Sequence, residues 1–403
     1  MATFSVPVVR IDAIEDHPNA DALEIAKVRD FDCITRIGEY KAGDIAVYIP
    51  EAAVMPEWLL KRMGLWDEEK GKGKLAGKEG NRVKAVKLRG VVSQGLLYPV
   101  SWDDPDLSQG ETVGLPRVDL SDGESYLLYD WNDVDIETIK SRCIDVDVGD
   151  VLGITKWEPP IPTHMAGEVC NIFGHTLKFD IENIQKHNEV LVSGEEVVIT
   201  EKLHGTWTCF GFDPDLDHEE LLHGGTIINS KGLSEQGLAF KWNDANDKNL
   251  YVRMFKQYML DTGRWNKVMD MAVRRGEPVF ILGETFGPGV QDLHYGLKEK
   301  SFLVFGIYVG KPGQGQYLDH VEFKQTCSWL EVSTVPVLYH GPFSMDTAKS
   351  FRDGKDTITG ANIREGIVIT PVKERNDFVL GRVTLKMISP DYLLRKGNAT
   401  EFN

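Results

Sequence analysis

Short apolar runs that stop abruptly at charged or glycine residues shape the second half of this chain. Val197-Val198-Ile199-Thr200 stops at Glu201-Lys202-Leu203-His204-Gly205-Thr206. Similar runs cover Phe280 to Glu284, Phe302 to Val309, Ile367 to Thr370 and Val383 to Ile388. Their length and their β-branched and aromatic content read as strands. One helical stretch is expected near Leu250 to Arg275, with Met254, Tyr258, Val268, Met271 and Ala272 as its apolar residues. Together these predict an α+β domain with antiparallel sheets and helices outside.

The first half reads differently. Strand-like runs recur at Val6 to Ile11, Ala46 to Ile49, Val83 to Leu88 and Gly95 to Val100, with a short helix near Pro56 to Met63. This predicts a small β-barrel. Trp157-Glu158-Pro159-Pro160-Ile161-Pro162 then interrupts the chain, because closely spaced prolines neither extend a helix nor sit in a central strand. The expected organisation is multidomain: a β-barrel over 1–158, a Pro-rich linker over 159–163 and an α+β domain over 164–403.

Composition narrows the function. The 403 residues carry a net charge of -17, which argues against indiscriminate polyanion binding. Between Lys70 and Arg89, however, basic residues dominate, with Glu79 as the lone acid. A bound polyanion would dock on this stretch, with Lys84, Lys87 and Arg89 as candidate contacts; the alternative is a solvated loop. Cys33, Cys143, Cys170, Cys209 and Cys327 form no CxxC pair and suit reduced thiols in an intracellular compartment. No apolar run is long enough to span a bilayer.

Lys202 lies where a strand should end, three residues before Gly205. A neutral lysine amine is a good nucleophile, and a glycine beside it allows close approach of a phosphate. The string resembles the lysine-X-(Asp or His)-Gly signature of covalent nucleotidyltransferases. Further pieces follow in that family's order. Asn229-Ser230-Lys231-Gly232 resembles the second motif and Phe280-Ile281-Leu282-Gly283-Glu284 the third. Phe302-Leu303-Val304-Phe305-Gly306-Ile307 resembles the strand whose aromatic ring stacks on a purine. Arg364-Glu365-Gly366-Ile367-Val368 resembles the fourth motif and Val383-Thr384-Leu385-Lys386 the fifth.

The resemblance implies that Lys202 takes AMP from ATP, with Glu365 and Lys386 as catalytic partners. Glu201, His204, Gly205, Lys231, Glu284 and Phe305 would complete the ATP site, with Phe302 as the alternate ring. Glu284 and Glu365 would hold Mg²⁺ or Mn²⁺ largely through its waters. Lys231 would also touch nucleic acid.

The N-terminal strings His17-Pro18-Asn19-Ala20-Asp21-Ala22-Leu23-Glu24 and Lys87-Leu88-Arg89-Gly90-Val91-Val92-Ser93-Gln94-Gly95 resemble the tRNA-binding OB-fold modules of some aminoacyl-tRNA synthetases. On their own these residues also suit barrel turns. A barrel before the catalytic domain, and too few residues after Lys386 for another, resemble the fifth RNA-ligase family. Leu152 to Pro162 and Gly287 to Gly296 also resemble that family. It implies joining of 3'-OH and 5'-phosphate ends, at nicks in duplexes with RNA on the 3'-OH side, by a monomer. The rival readings are a GTP-dependent guanylyltransferase and a non-catalytic RNA-binding protein. Three positions depart from the pattern: His204 stands where many relatives have aspartate, Trp207 where some have asparagine, and Thr384 where a lysine is usual, with Arg382 nearby.

Overall fold

The computed structural model describes residues 4–102, 114–121, 123–129, 135–158 and 162–395. Pro159, Pro160 and Ile161, at the centre of the expected linker, lie outside the described residues. The chain divides into two compact units, Thr3–Trp157 and Glu158–Asn403.

Among the described residues, the N-terminal unit pairs its strands antiparallel. Ile45–Ile49 is central between Val8–Arg10 and Leu96–Pro99, and Leu23–Val28 is central between Ala13–Asp16 and Phe31–Arg36. Ile45–Ile49 is buried along its whole length. It therefore reads as a continuous apolar run rather than an alternating one. The helix Glu57–Arg62 buries Leu59 and Leu60 against the same core as Val47 and Ile49. The Val83 to Leu88 run contracts to a strand at Val86–Leu88, hairpinned to Val91–Ser93 through Arg89 (φ 42°) and Gly90 (φ 98°). Within Gly71-Lys72-Gly73-Lys74, Lys72 and Lys74 are exposed and Gly73 is buried, where a Cβ would lie 2.0 Å from the Gly80 carbonyl.

The C-terminal unit is built on two five-stranded sheets. In one, Glu196–Lys202 lies between Gly366–Pro371 and Val337–Pro342, and Leu385–Ile388 flanks Gly366–Pro371. The outermost pairing there, Glu182–Asn183 with Leu385–Lys386, is parallel. The other sheet orders Thr226–Ser230, Gly205–Phe212, Val279–Phe286, Ser301–Val309 and Gln316–Tyr317. Leu203 and His204 alone connect the sheets at this point, so Lys202 ends one and Gly205 starts the other.

The stretch expected as one helix over Leu250 to Arg275 is broken. Leu250–Phe255 passes into a π-helical turn, Lys256–Leu260, and a separate helix, Arg264–Arg275, starts after Gly263 (φ 72°). A left-handed residue cannot continue a right-handed helix, and glycine adopts it without a Cβ clash. Trp265, Val268 and Ala272 then pack on the second sheet's core. Val383 also departs from expectation: it is buried but precedes the strand, which starts at Leu385.

Candidate active site

Strand register puts the site together. Side chains alternate faces along a strand, so Lys202 shares a face with Thr200. Thr200 opposes Val368, which opposes Lys386 on its other side. Lys202 and Lys386 thus project from the same face of one sheet. Lys202 itself opposes Gly366, whose neighbour Glu365 receives Lys202 Nζ on Oε1 at 2.5 Å. The lysine side chain is 18% exposed and the glutamate 7%. The other Glu365 oxygen is buried without a hydrogen-bond partner.

Glu284 comes from the second sheet, where it opposes Trp207. Burial pushes its carboxyl up to about 8; Glu365 adds to the shift, and Lys202 and Lys231 oppose it. Lys386 moves the other way. Burial lowers its ammonium to about 8, and the Lys202 and Lys231 charges lower it further, against Asp180 and Glu182. Lys231 starts the short helix after the strand Thr226–Ser230, with Ser230 Oγ accepting from Leu233 N as its cap. Its Nζ donates to Asp180 Oδ1 at 3.3 Å. The structure therefore brings Lys202, Glu365, Lys386, Glu284 and Lys231 into one electrostatic cluster. Both shifts arise because burial disfavours the charged form, and the opposite charges nearby offset it only in part.

Phe305 is selected by a bulge. Leu282 opposes Gly306 and Gly283 opposes Val304, leaving Phe305 with no cross-strand partner. An extra residue in one strand re-aims its side chain. Phe305 stays half-exposed, tilted against Phe179 at 5.2 Å, which in turn stacks on Trp207 at 6.0 Å. Phe302, the alternate ring, is core instead: it is 3% exposed and lies 4.9 Å from Phe210. A Cβ on Gly283 would sit 2.4 Å from the Phe302 ring, which explains glycine at that place.

Glu201 points from the opposite face to Lys202. Its Oε2 accepts from Thr357 N at 2.8 Å and from the Thr357 hydroxyl at 2.5 Å, with Arg364 Nε 4.0 Å away. Its Oε1 is buried without a partner, and burial raises the carboxyl's pKa. Gly205 is required by packing, since a Cβ there would meet the Thr285 carbonyl at 2.2 Å.

His204 is fixed by residues outside the strings that suggested the site. Its ring bonds Asp292 Oδ1 through Nε2 at 2.6 Å and the Tyr392 hydroxyl through Nδ1 at 2.8 Å. Its backbone N–H donates to the Tyr295 hydroxyl at 2.6 Å. Arg395 Nε donates to Asp292 Oδ2 at 2.9 Å. Nδ1 is still 3.9 Å from Glu365 Oε2. Asp292 and Tyr295 fall in the Gly287 to Gly296 string; Tyr392, some 190 residues downstream of His204, gave no local signal. Thr384 Oγ1 lies 3.0 Å from Thr370 Oγ1 in the interior, so it is a packing residue. Arg382 does not stand in for the usual lysine: Glu374 occupies its guanidinium, which lies 3.5 Å over the Tyr317 ring.

The remaining candidates lie in the N-terminal unit. Lys87 and Arg89 are exposed on the Val86–Leu88/Val91–Ser93 hairpin, and Lys84 is half-buried just before it. His17 Nε2 reaches Leu88 O at 3.2 Å, and Asn19 Nδ2 donates to Arg89 O at 2.9 Å. The two resembling strings are thus in contact, with His17 and Asn19 bracing the hairpin that carries the basic residues. All five cysteines are buried and free.

A family model described as RNA ligase matches residues 195–388, and an OB-fold domain model matches residues 5–100. No curated protein matches the chain. Solved structures of the Naegleria gruberi RNA ligase share the fold. A mutant of that ligase with AMP and Mn is 22% identical, covers 96% of this chain and 97% of its own, and superposes with a TM-score of 0.68. A second mutant with ATP and Mn gives 21% identity, 97% and 98% coverage and a TM-score of 0.68. The same ligase with PPi gives 22% identity, 96% and 97% coverage and a TM-score of 0.66. The residues of this cluster thus fall inside the stretch matched by the RNA ligase family model, behind an N-terminal stretch matched by the OB-fold domain model, and the whole chain shares the fold of the Naegleria ligase.

Proposed function

We propose that this chain is an ATP-dependent ligase that seals a 3'-OH to a 5'-phosphate, with RNA on the 3'-OH side of a duplex nick. The observation that carries the reading is Lys202 Nζ on Glu365 Oε1, inside a cluster that also holds Lys386, Lys231 and Glu284.

In the first step the Lys202 lone pair attacks the α-phosphorus of ATP. An N–P bond forms, the P–O bond to pyrophosphate breaks, and the amine proton leaves to solvent. Glu365 Oε1 accepts from the Lys202 Nζ, and Lys386 and Lys231 place positive charge in the same cluster. Their charge also offsets the negative charge on the reacting phosphate. Lysyl-AMP then passes AMP to the 5'-phosphate, and the 3'-OH displaces it. Phe305, backed by Phe179, offers its ring to the adenine; the Glu201 side chain, buried on the opposite face against Thr357, supports the strand instead.

The residues also fit a hard divalent cation. Glu365 Oε2 is a buried oxygen with no hydrogen-bond donor, and Glu284 is held largely neutral by its surroundings. Such a pair is stabilised by a cation. Mg²⁺ or Mn²⁺ held there would neutralise phosphate charge.

The test is sealing of duplex nicks with ATP and magnesium, comparing ribose with deoxyribose at the 3'-OH terminus. Sealing of the ribose nick only is expected. Equal sealing of both would remove the RNA requirement, and transfer of GMP rather than AMP would favour the guanylyltransferase reading.

A further inference from the structure

Beside the Lys202 cluster, the C-terminal unit holds a groove of about 560 Å³. Its walls include Phe173, Lys178, Tyr308, Tyr317, Arg375 and Arg382. We propose that this groove docks a single-stranded RNA segment flanking the nicked duplex, its bases on the aromatic rings and its phosphates toward the cations.

Two exposed phenylalanines mark the groove. Phe173 is 83% exposed on its rim, and Phe378 is fully exposed at the tip of the hairpin Asn376–Asp377/Gly381–Arg382, whose base lines it. Exposed aromatic rings of this kind are free to stack on an unpaired base. Neither is on a loose segment. Phe173 N donates to Asn171 Oδ1 at 2.9 Å, and the residue packs on Gly237. At the hairpin tip, Asp377 Oδ1 accepts from Val379 N at 2.8 Å and Leu380 N at 3.0 Å. Both rings are therefore presented by hydrogen-bonded turns, which lowers the ordering entropy of stacking.

The cations differ in availability. Arg375 and Arg382 are oriented by Glu195 and Glu374. Lys178 is exposed, with no carboxylate partner among the described residues. Rings interleaved with cations suit a polynucleotide, since every base offers a π-face and every linkage an anion. The groove also continues the aromatic chain of the nucleotide cluster. Phe305 touches Phe179, Phe179 meets Tyr317 edge-on at 6.5 Å, and Tyr317 packs on Tyr308 at 5.1 Å. A strand lying here would lead toward the reacting centre.

This inference rests on the ligase reading, so its test separates the two. The full chain is titrated into a fluorescein-labelled oligouridylate of ~12 nucleotides, as the parent, as Phe173→Ala/Phe378→Ala and as Lys178→Glu, with covalent AMP labelling measured in parallel. The double variant is expected to bind at least about fivefold more weakly. Lys178→Glu should make the salt dependence shallower by about 0.7 in the log–log slope. All three proteins should still take AMP. RNA affinity within about twofold of the parent in both variants would overturn the groove and leave the exposed rings to a protein partner. A parent that takes no AMP would overturn the ligase reading, whatever its RNA affinity.

Discussion

Glu284 faces Trp207 across two strands, and burial holds its carboxyl at about 8 instead of 4.5. Below pH 4.5 the group is neutral folded or unfolded and adds nothing to the pH dependence of stability. From there to about pH 8 the unfolded chain ionises it while the folded chain does not, so the native state loses stability as pH rises; above pH 8 that loss is constant. Glu284→Gln should therefore raise Tm at pH 8, with a gain that shrinks toward pH 4.5. The same variant should weaken metal-dependent adenylylation, with metal affinity falling roughly 10- to 100-fold. Thermal melts across pH and magnesium titrations of adduct formation check both halves. His204 gives the opposite kind of residue. Asp292 and Tyr392 hold its ring, so Asp292→Ala should cost about 1–3 kcal/mol of stability and slow adenylylation together. Tyr392→Phe, which loses only a hydroxyl, should do less of both in the same assays. Lys202, Glu284 and Glu365 were legible because each ends or begins an apolar run, and Lys386 because it interrupts one. Asp292 was only partly legible and Tyr392 not at all, because hydrogen bonds between distant chain segments leave no local pattern.

At the scale of elements, the bulge at Phe305 separates two phenylalanines that sequence alone could not rank. Phe305→Ala should weaken nucleotide binding by about 1–3 kcal/mol while leaving Tm nearly unchanged. Phe302→Ala, which empties a core position against Phe210, should cost about 3–5 kcal/mol of stability. Calorimetric melts and ATP titration distinguish them. The strand runs were readable because burial on both faces makes them continuously apolar, as in Val279 to Leu282. The bulge was not, since register depends on the partner strand. The break at Gly263 was hidden for a related reason: an apolar period persists across Arg264–Arg275 even though the helix axis restarts.

At the scale of the whole molecule, the chain combines the Lys202 cluster in one unit with a basic hairpin in the other. Lys87→Glu/Arg89→Glu should reduce nick sealing and flatten its salt dependence while self-adenylylation persists, as read by comparing sealing and adduct formation over a salt series. Equal loss of both would make the hairpin purely structural. The barrel was legible from short strands and two strings, and the contact of His17 and Asn19 with the hairpin explains why those strings occur together.

The central claim is that Lys202 carries the nucleotide. Its direct measurement is mass spectrometry of the protein after incubation with ATP and magnesium, followed by peptide mapping. The account predicts one AMP on Lys202, none in Lys202→Ala, and loss of the adduct on adding pyrophosphate. AMP on another residue, or an adduct that survives in Lys202→Ala, would contradict it.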